Sequence, residues 1–231
     1  MVKINDNDNE DENLGRIKAF KHRSIEWVVL TKAPFPGLVK TRLIAELGEQ
    51  GACDVYEQLL ARLCGSLKNV IFKLPPTRLS DVASSQVALW IAGNTDHKAF
   101  ESWSGLATFY TQPETGDLGE RMALAVQSSL ARGFIPVLIG VDVPDLDEAY
   151  LTHCLHQLQN HDLVISPAAD GGYGLLGMKQ FYPELFVNKH WGTASVFATT
   201  KGDIDKLGIE AAYLSEVWDV DEPADVKRWI S

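Results

Sequence analysis

From residue 25 onward the sequence alternates short apolar runs with stretches of helical periodicity, and this alternation restricts the fold more than any single motif does. The apolar runs are Ile25 to Thr31, Val87 to Ala92, Ala107 to Thr111, Pro136 to Val141, Leu163 to Pro167, Tyr173 to Met178 and Ala211 to Val217. Helical patterns fall between them: a long stretch through Leu63, then Asp96 to Trp103, Leu118 to Ala131, Asp147 to Gln159, and a last helix from Pro223 to Ile230. A strand that returns to the same sheet through a helix must cross over, which makes neighbouring strands parallel and covers both faces of the sheet with helices. The expected class is α/β, a mostly parallel central sheet with helices on both faces, in one domain spanning residues 25–231. Ligands of such sheets bind beyond the carboxyl ends of the strands, so residues just after each apolar run come first in the search for chemistry.

Composition bounds the function. At 231 residues, 45% hydrophobic and 23% charged, the chain is long enough to bury a large core. No run approaches the length of a membrane span and the N-terminus lacks the apolar core of a secretory signal, so a cytoplasmic protein with no membrane span is expected. A net charge of −10 argues against a broad nucleic-acid surface, which depends on clustered Lys and Arg. Cys53, Cys64 and Cys154 are odd in number and embedded in apolar helical patterns, which reads as three small buried hydrophobes rather than a disulfide framework or a zinc site. Residues 1–24 are polar and charge-dense, with Asp6, Asp8, Glu10, Asp11 and Glu12 interleaved with Asn. Such a segment is expected to be a disordered tail. A calcium loop fits less well, because its required glycine is Asp11 here and flanking helices are missing.

Four strand ends carry unusual chemistry. Directly after the first apolar run, Thr31-Lys32-Ala33-Pro34-Phe35-Pro36-Gly37-Leu38-Val39-Lys40-Thr41-Arg42-Leu43 combines a Pro/Gly-shaped loop with three cations and a following helix. Exposed cations beside a helix N-terminus suit an anion, so the loop reads as phosphate-binding. It lacks the second glycine of a Walker loop, and the plainer alternative is a surface loop with solvated cations. In Gly140-Val141-Asp142-Val143-Pro144-Asp145-Leu146 a strand runs into an acidic turn, and Asp142 suits Mg²⁺ or Mn²⁺ bridging nucleotide phosphates, while Asp145 is at least as well explained as a helix cap. Asp170-Gly171-Gly172-Tyr173 permits close backbone approach to a ligand, or is a Gly-rich hairpin turn with Asp170 at its corner. Asp219-Val220-Asp221-Glu222-Pro223 again ends an apolar run in acids, with Asp221 alternatively the cap of the last helix. Two separated acidic strand ends make a shared metal site more plausible than either alone.

Taken in order, these stretches and Gly116-Asp117-Leu118-Gly119-Glu120-Arg121-Met122 resemble the nucleotide-diphospho-sugar transferase superfamily, the GT-A fold. The nearer resemblance is to a small bacterial branch of glycosyltransferases, some linked with arsenosugar biosynthesis, related to guanylyltransferases that activate phospholactate or phosphoenolpyruvate. It covers Ile25 to Trp229. It implies a nucleotide bound by Lys32, Ala33, Pro34, Gly37, Lys40 and Arg42, with Gly119 and Arg121 near it. Asp142, Asp219 and Asp221 are implied to hold the metal, Asp142 and Asp170 to be catalytic, and Gly171, Gly172, Tyr173 and Trp191, beside His190, to face the acceptor. Val141 stands where a small hydroxyl residue is common, and Ala169 where a second acid often precedes Asp170.

The function expected first is metal-dependent glycosyl transfer from a nucleotide sugar to a small-molecule acceptor. Nucleotidyl transfer from a nucleoside triphosphate to a phosphorylated small acid uses the same fold and metal. A phosphatase built on Asp219-Val220-Asp221 fits less well, because such a nucleophile normally opens its domain and only ten residues follow Asp221. From another class, a catalytically idle nucleotide-binding module stays open. Expected partners are the nucleotide donor and the acceptor, with a homodimer allowed.

Overall fold

A computed structural model describes residues 23–73 and 85–231. Seven strands form one sheet in the order β3-β2-β1-β4-β6-β5-β7. They are β1 (Ile25–Lys32), β2 (Ser85–Ala92), β3 (Ala107–Thr111), β4 (Ile135–Ile139), β5 (Leu163–Pro167), β6 (Tyr173–Met178) and β7 (Ala211–Tyr213). All pairings are parallel except those of β6, which runs antiparallel to both β4 and β5. The helices are α1 (Ile44–Lys73), α2 (Leu118–Ala131), α3 (Glu148–Asn160), α4 (Val196–Leu207) and α5 (Pro223–Ile230).

Alternation along the strands divides the core between the two faces. Trp27 and Val29 of β1, Leu89 and Ile91 of β2, and Val137 and Ile139 of β4 pack under α1 and α3 in one cluster that includes Leu59, Leu63, Leu151 and Leu155. Val28, Ala88 and Leu138 face the other way, against Met122, Ala125 and Val126 of α2 and Ile204 of α4. The three cysteines are buried and free. Among the described residues no helix is long and apolar enough to cross a membrane.

Several expected boundaries shift. The last strand stops at Tyr213, and Val217 rejoins the sheet only through an isolated parallel bridge to Ala168. Asp96 to Trp103 yields a 3-10 segment, Lys98–Trp103. The first loop does not feed an α-helix directly. A 3-10 turn, Thr41–Leu43, intervenes, and α1 is itself kinked at Gly48, whose φ of 71° and ψ of 170° are non-helical. Helix α4 has no counterpart in the expected pattern, because its Val196, Thr199, Thr200 and Gly202 are weak helix formers. Burial of Val196, Thr200 and Ile204 at four-residue spacing holds it instead.

The acidic segment and its calcium-loop alternative lie outside the described residues as far as residue 22. Arg23 and Ser24 belong to the sheet's margin: Arg23 donates to the carbonyls of Phe134 and Lys179, each at 3.0 Å, and Ile135 N donates to Ser24 O at 2.9 Å.

Candidate active site

The loops after β4, β5 and β7 converge at the carboxyl ends of the strands because the main chain ties them together. Val220 N donates to Asp142 O at 2.9 Å, Ala169 N to Val217 O at 2.9 Å, and Gly140 N to Gly174 O at 3.0 Å. Trp218 Nε1 donates to Asp145 Oδ1 at 3.1 Å, so Asp145 neither caps a helix nor joins the acids at the strand ends. The cap of α3 is Asp147, which accepts from Tyr150 N. Likewise α5 is capped by a box between Glu222 and Asp225, which leaves Asp221 for other contacts.

Those contacts are with the first loop. Lys40 Nζ lies 2.9 Å from Asp142 Oδ2 and 3.5 Å from Asp221 Oδ1, and Arg42 pairs with Asp221. Lys40 reaches them from a left-handed backbone conformation, φ 45° and ψ 46°, which a lysine adopts at a cost of roughly 1–2 kcal/mol. Contrary to the expectation of exposed cations, the Lys40 side chain is only 5% exposed, while that of Arg42 is 66% exposed. Burial works against the Lys40 charge, but Asp142, Asp221 and Asp219 more than compensate and hold its pKa above the ordinary lysine value. Asp219 is the acid left over. Desolvation, then the charges of Asp142 and Asp170, push its carboxyl up to about 6.

Two cavities meet here. The larger, about 670 Å³, is lined by Lys32, Lys40, Arg42, Gln112, Arg121, Asp142 and Asp221 among others. The smaller, about 210 Å³, is lined by Asp142, Asp170, Gly172, Tyr173, Trp191 and Asp219 among others. Both have Leu118 in their walls. The Asp170 segment is a hairpin between β5 and β6 as well as a cavity wall, with Asp170 Oδ1 accepting from Gly172 N at 2.8 Å. Tyr173 and Trp191 pack edge to face at 6.4 Å, and burial raises the Tyr173 hydroxyl pKa strongly. Two buried donors, Arg121 Nε in the wall of the larger cavity and Trp191 Nε1 in that of the smaller, have no partner among the described residues.

Some expected residues stand elsewhere. Ala33, Pro34 and Gly37 shape the loop without lining either cavity, and His190 and Gly171 line neither. Gly119 is buried behind the wall: a Cβ there would come within 2.3 Å of Phe186 O and 2.6 Å of Trp191 Nε1, so its missing side chain seats Trp191. Gly171, at φ 86°, would set a Cβ 2.3 Å from Ala194 O, so it too is a packing glycine. Val141 is buried. Gln112 and Tyr56 line the larger cavity and carry no sequence signal beyond Gln112 following a strand.

The donor set suits a hard divalent cation in one particular way. Among the described residues no group of three or more His, Cys, Asp or Glu side chains is placed to hold a metal ion, so the expected set of Asp142, Asp219 and Asp221 is not assembled as three ligands, and Asp221 instead pairs with Lys40 and Arg42. Magnesium is commonly bound by one or two carboxylates with substrate phosphates supplying the rest, and Asp142 and the under-neutralised Asp219 fit that pattern.

The sheet and its covering helices have the fold of the nucleotide-diphospho-sugar transferases. The chain is 28% identical to a Desulfovibrio desulfuricans G20 protein described as a candidate nucleotide-diphospho-sugar transferase, with a TM-score of 0.73 over 88% of this chain and 85% of that one. Within that class the chain belongs to the DUF2064 family, described as an uncharacterized protein conserved in bacteria, whose profile matches residues 77–193. More distant structures share the fold. A 4-diphosphocytidyl-2C-methyl-D-erythritol synthase from Anaerococcus prevotii DSM 20548 is 9% identical, with a TM-score of 0.54 over 93% of this chain and 96% of that one. Glucosyl-3-phosphoglycerate synthase from Mycobacterium tuberculosis, solved with Mn²⁺, UDP and phosphoglyceric acid, is 14% identical, with a TM-score of 0.54 over 93% and 77%. No curated protein matches the sequence.

Proposed function

We propose that the protein is a metal-dependent glycosyltransferase that takes a nucleotide-sugar donor in the larger cavity and a small-molecule acceptor in the smaller. The observation that carries this reading is that the two cavities share Asp142, so a diphosphate in one and a nucleophile in the other would face the same carboxylate. Lys32, Lys40, Arg42 and Arg121 supply the positive lining for the donor phosphates. Asp142 and Asp219 would hold Mg²⁺ or Mn²⁺, with Asp221 anchoring Lys40 and Arg42 beside them. When bound, that ion neutralises charge on the diphosphate leaving group.

On the acceptor side, Gly172 N fixes one Asp170 oxygen, which leaves the other to accept a hydrogen bond from the incoming hydroxyl and take its proton as the bond forms. Tyr173 and Trp191 wall the acceptor pocket with aromatic surface, and Gly172 lets the main chain approach. The released nucleoside diphosphate carries away the negative charge.

The test is product analysis with panels of nucleotide sugars and nucleoside triphosphates, each with Mn²⁺ and a set of small hydroxyl acceptors. Nucleoside diphosphate together with a glycosylated acceptor is the expected outcome. Pyrophosphate released from a triphosphate would replace this reading with nucleotidyl transfer, and turnover of neither donor class would reduce it to nucleotide binding.

A further inference from the structure

The charge pattern of the smaller cavity limits what can enter it. Its charged lining residues are Asp142, Asp170 and Asp219, and among the described residues no Lys, Arg or His lines it. The acids sit close enough together that the charges of Asp142 and Asp170 both act on Asp219. Two neighbouring cations are already spent. Lys40, its side chain 5% exposed, is held by Asp142 and lines the larger cavity but not the smaller. Lys189, in the loop that carries Trp191, is paired with Asp203 and its side chain is 2% exposed. The lining hydroxyls are spent as well: Tyr173 Oη donates to Met122 Sδ at 3.8 Å, and Thr193 Oγ1 to His190 O at 2.7 Å. Trp191 Nε1, without a partner among the described residues, lies over Gly119 behind the wall. Both helix starts that border the cavity, at Leu118 and Val196, are occupied. In α4, Val196 N donates to Thr193 O at 3.3 Å and Phe197 N to Gly171 O at 2.8 Å, and in α2 Asp117 and Glu120 close a capping box.

An anion entering this cavity would exchange water for carboxylates, with no lining cation to receive it, and that cost grows as solvent is excluded. We propose that the acceptor carries no negative charge: it is a neutral or ammonium-bearing hydroxyl compound, and phosphorylated or carboxylated compounds are rejected. The proposal rests on the smaller cavity being the acceptor site and names the class of compound that site takes. At about 210 Å³ the cavity falls below the roughly 300–1,000 Å³ typical of drug-sized ligands, so the compound is small. The Tyr173 and Trp191 rings, edge to face, offer a wall to the C–H face of a polyol or to an ammonium group. The sign of the selection does not depend on metal. With Asp142 and Asp219 neutralised by a divalent ion, Asp170 keeps its charge; without the ion, all three acids oppose an anion.

The experiment is saturation-transfer NMR on the full chain, with Mg²⁺ and pyrophosphate present to occupy the cationic lining of the larger cavity. The probes are matched in size and differ in charge: glycerol, 2-amino-1,3-propanediol and glycerate, then glucose and glucuronate. In each set the neutral member is expected to bind about tenfold or more tightly than the anion, and the amine no more weakly than glycerol. In Asp170→Asn, which keeps the oxygen that accepts from Gly172 N, the gap between neutral and anionic members should narrow to within about threefold. An anion that equals or exceeds its neutral partner, or a gap unchanged in Asp170→Asn, overturns the proposal. Should Asp170→Asn lose its cooperative melt, the wild-type sets decide, because their charge difference lies in the ligand. Preferred binding of the anions overturns the acceptor class alone and favours transfer to a phosphorylated acid. Binding of no probe removes the acceptor site and this proposal with it, while release of nucleoside diphosphate from a nucleotide sugar judges the transferase reading separately.

Discussion

Glu26 and Asp142 are both held by cations at the middle of the sheet, yet their surroundings balance charge in opposite ways. Glu26 is fully buried in β1, where Arg132 Nη1 and Nη2 donate to its two oxygens at 2.8 and 2.6 Å and Gln86 Nε2 adds a third bond at 2.6 Å. Arg132 also lies over the Tyr110 ring, 5.0 Å from its centre. Both carboxylate oxygens have donors and the charge is matched by one guanidinium, so the group is closed. Around Asp142 the acids outnumber the cations: Lys40 is shared between Asp142 and Asp221, Arg42 pairs with Asp221, and Asp219 is left with its carboxyl pushed up to about 6. A closed ion pair specifies the fold. An excess of carboxylates at a cavity is an incomplete group, which under the proposed function a ligand with a cation would complete.

The comparison breaks most visibly at Arg132. Arg132→Met strands a buried carboxylate and is expected to cost about 3–5 kcal/mol in urea denaturation while nucleotide affinity stays unchanged. Replacing both partners, Glu26→Leu with Arg132→Met, should recover most of that loss; a double variant as unstable as the single one would show that the pair itself, rather than its satisfaction, holds β1.

Asp142→Asn is the mirror case. It is expected to leave folding intact, to abolish the metal dependence of donor binding, and to slow transfer roughly a hundredfold or more, about 2.7 kcal/mol of transition-state stabilisation. Mn²⁺ titration with nucleotide present reads this directly, and metal affinity equal to wild type would separate Asp142 from the ion. Lys40→Ala should follow with a smaller effect, about tenfold weaker nucleotide binding, and, because its side chain is buried against Asp142, a measurable change in melting temperature as well. Arg42→Ala, whose side chain is largely exposed, should weaken nucleotide binding without altering the melt.

The sequence made the open group legible in part, because an acid directly after an apolar run can be read from pattern alone. Asp142, Asp170 and Asp219 were visible this way, as were Lys40 and Arg42 in the first loop. Other features depend on pairing across the fold. Nothing local says that Lys40 crosses to Asp142, 102 residues away, or that Asp145 turns from the site to accept from Trp218 while Asp147 caps α3. Gly119 and Gly171 carried a functional-looking pattern, but their glycine requirement comes from Trp191 and Ala194 packing onto them from another loop. Gln112 was invisible for the opposite reason: a lone glutamine after a strand has no signature until its amide is seen bridging two neighbouring strands.

The smallest expected effect is the most direct measure of how incomplete the open group is. Asp219 has an unfolded reference value of 3.8 and a folded value pushed up to about 6 by burial and by Asp142 and Asp170. A raised carboxyl pKa means that the folded state holds the proton more tightly than the unfolded chain. Below 3.8 both states are protonated and Asp219 has no effect on stability; as pH rises from 3.8 to about 6 the unfolded chain ionises first and stability falls; above that the full penalty persists. Asp219 is partly solvated, so the penalty is discounted to about 1 kcal/mol. In chelator, Asp219→Asn should therefore match wild type near pH 4 and exceed its stability by about that amount at pH 7. Mn²⁺ with nucleotide should reverse the order at pH 7, because wild type then gains a ligand that the variant has lost. Denaturation curves for the two proteins that run parallel at both pH values, with and without ligand, would mean that Asp219 is already satisfied and that the group around Asp142 is as closed as the one around Glu26.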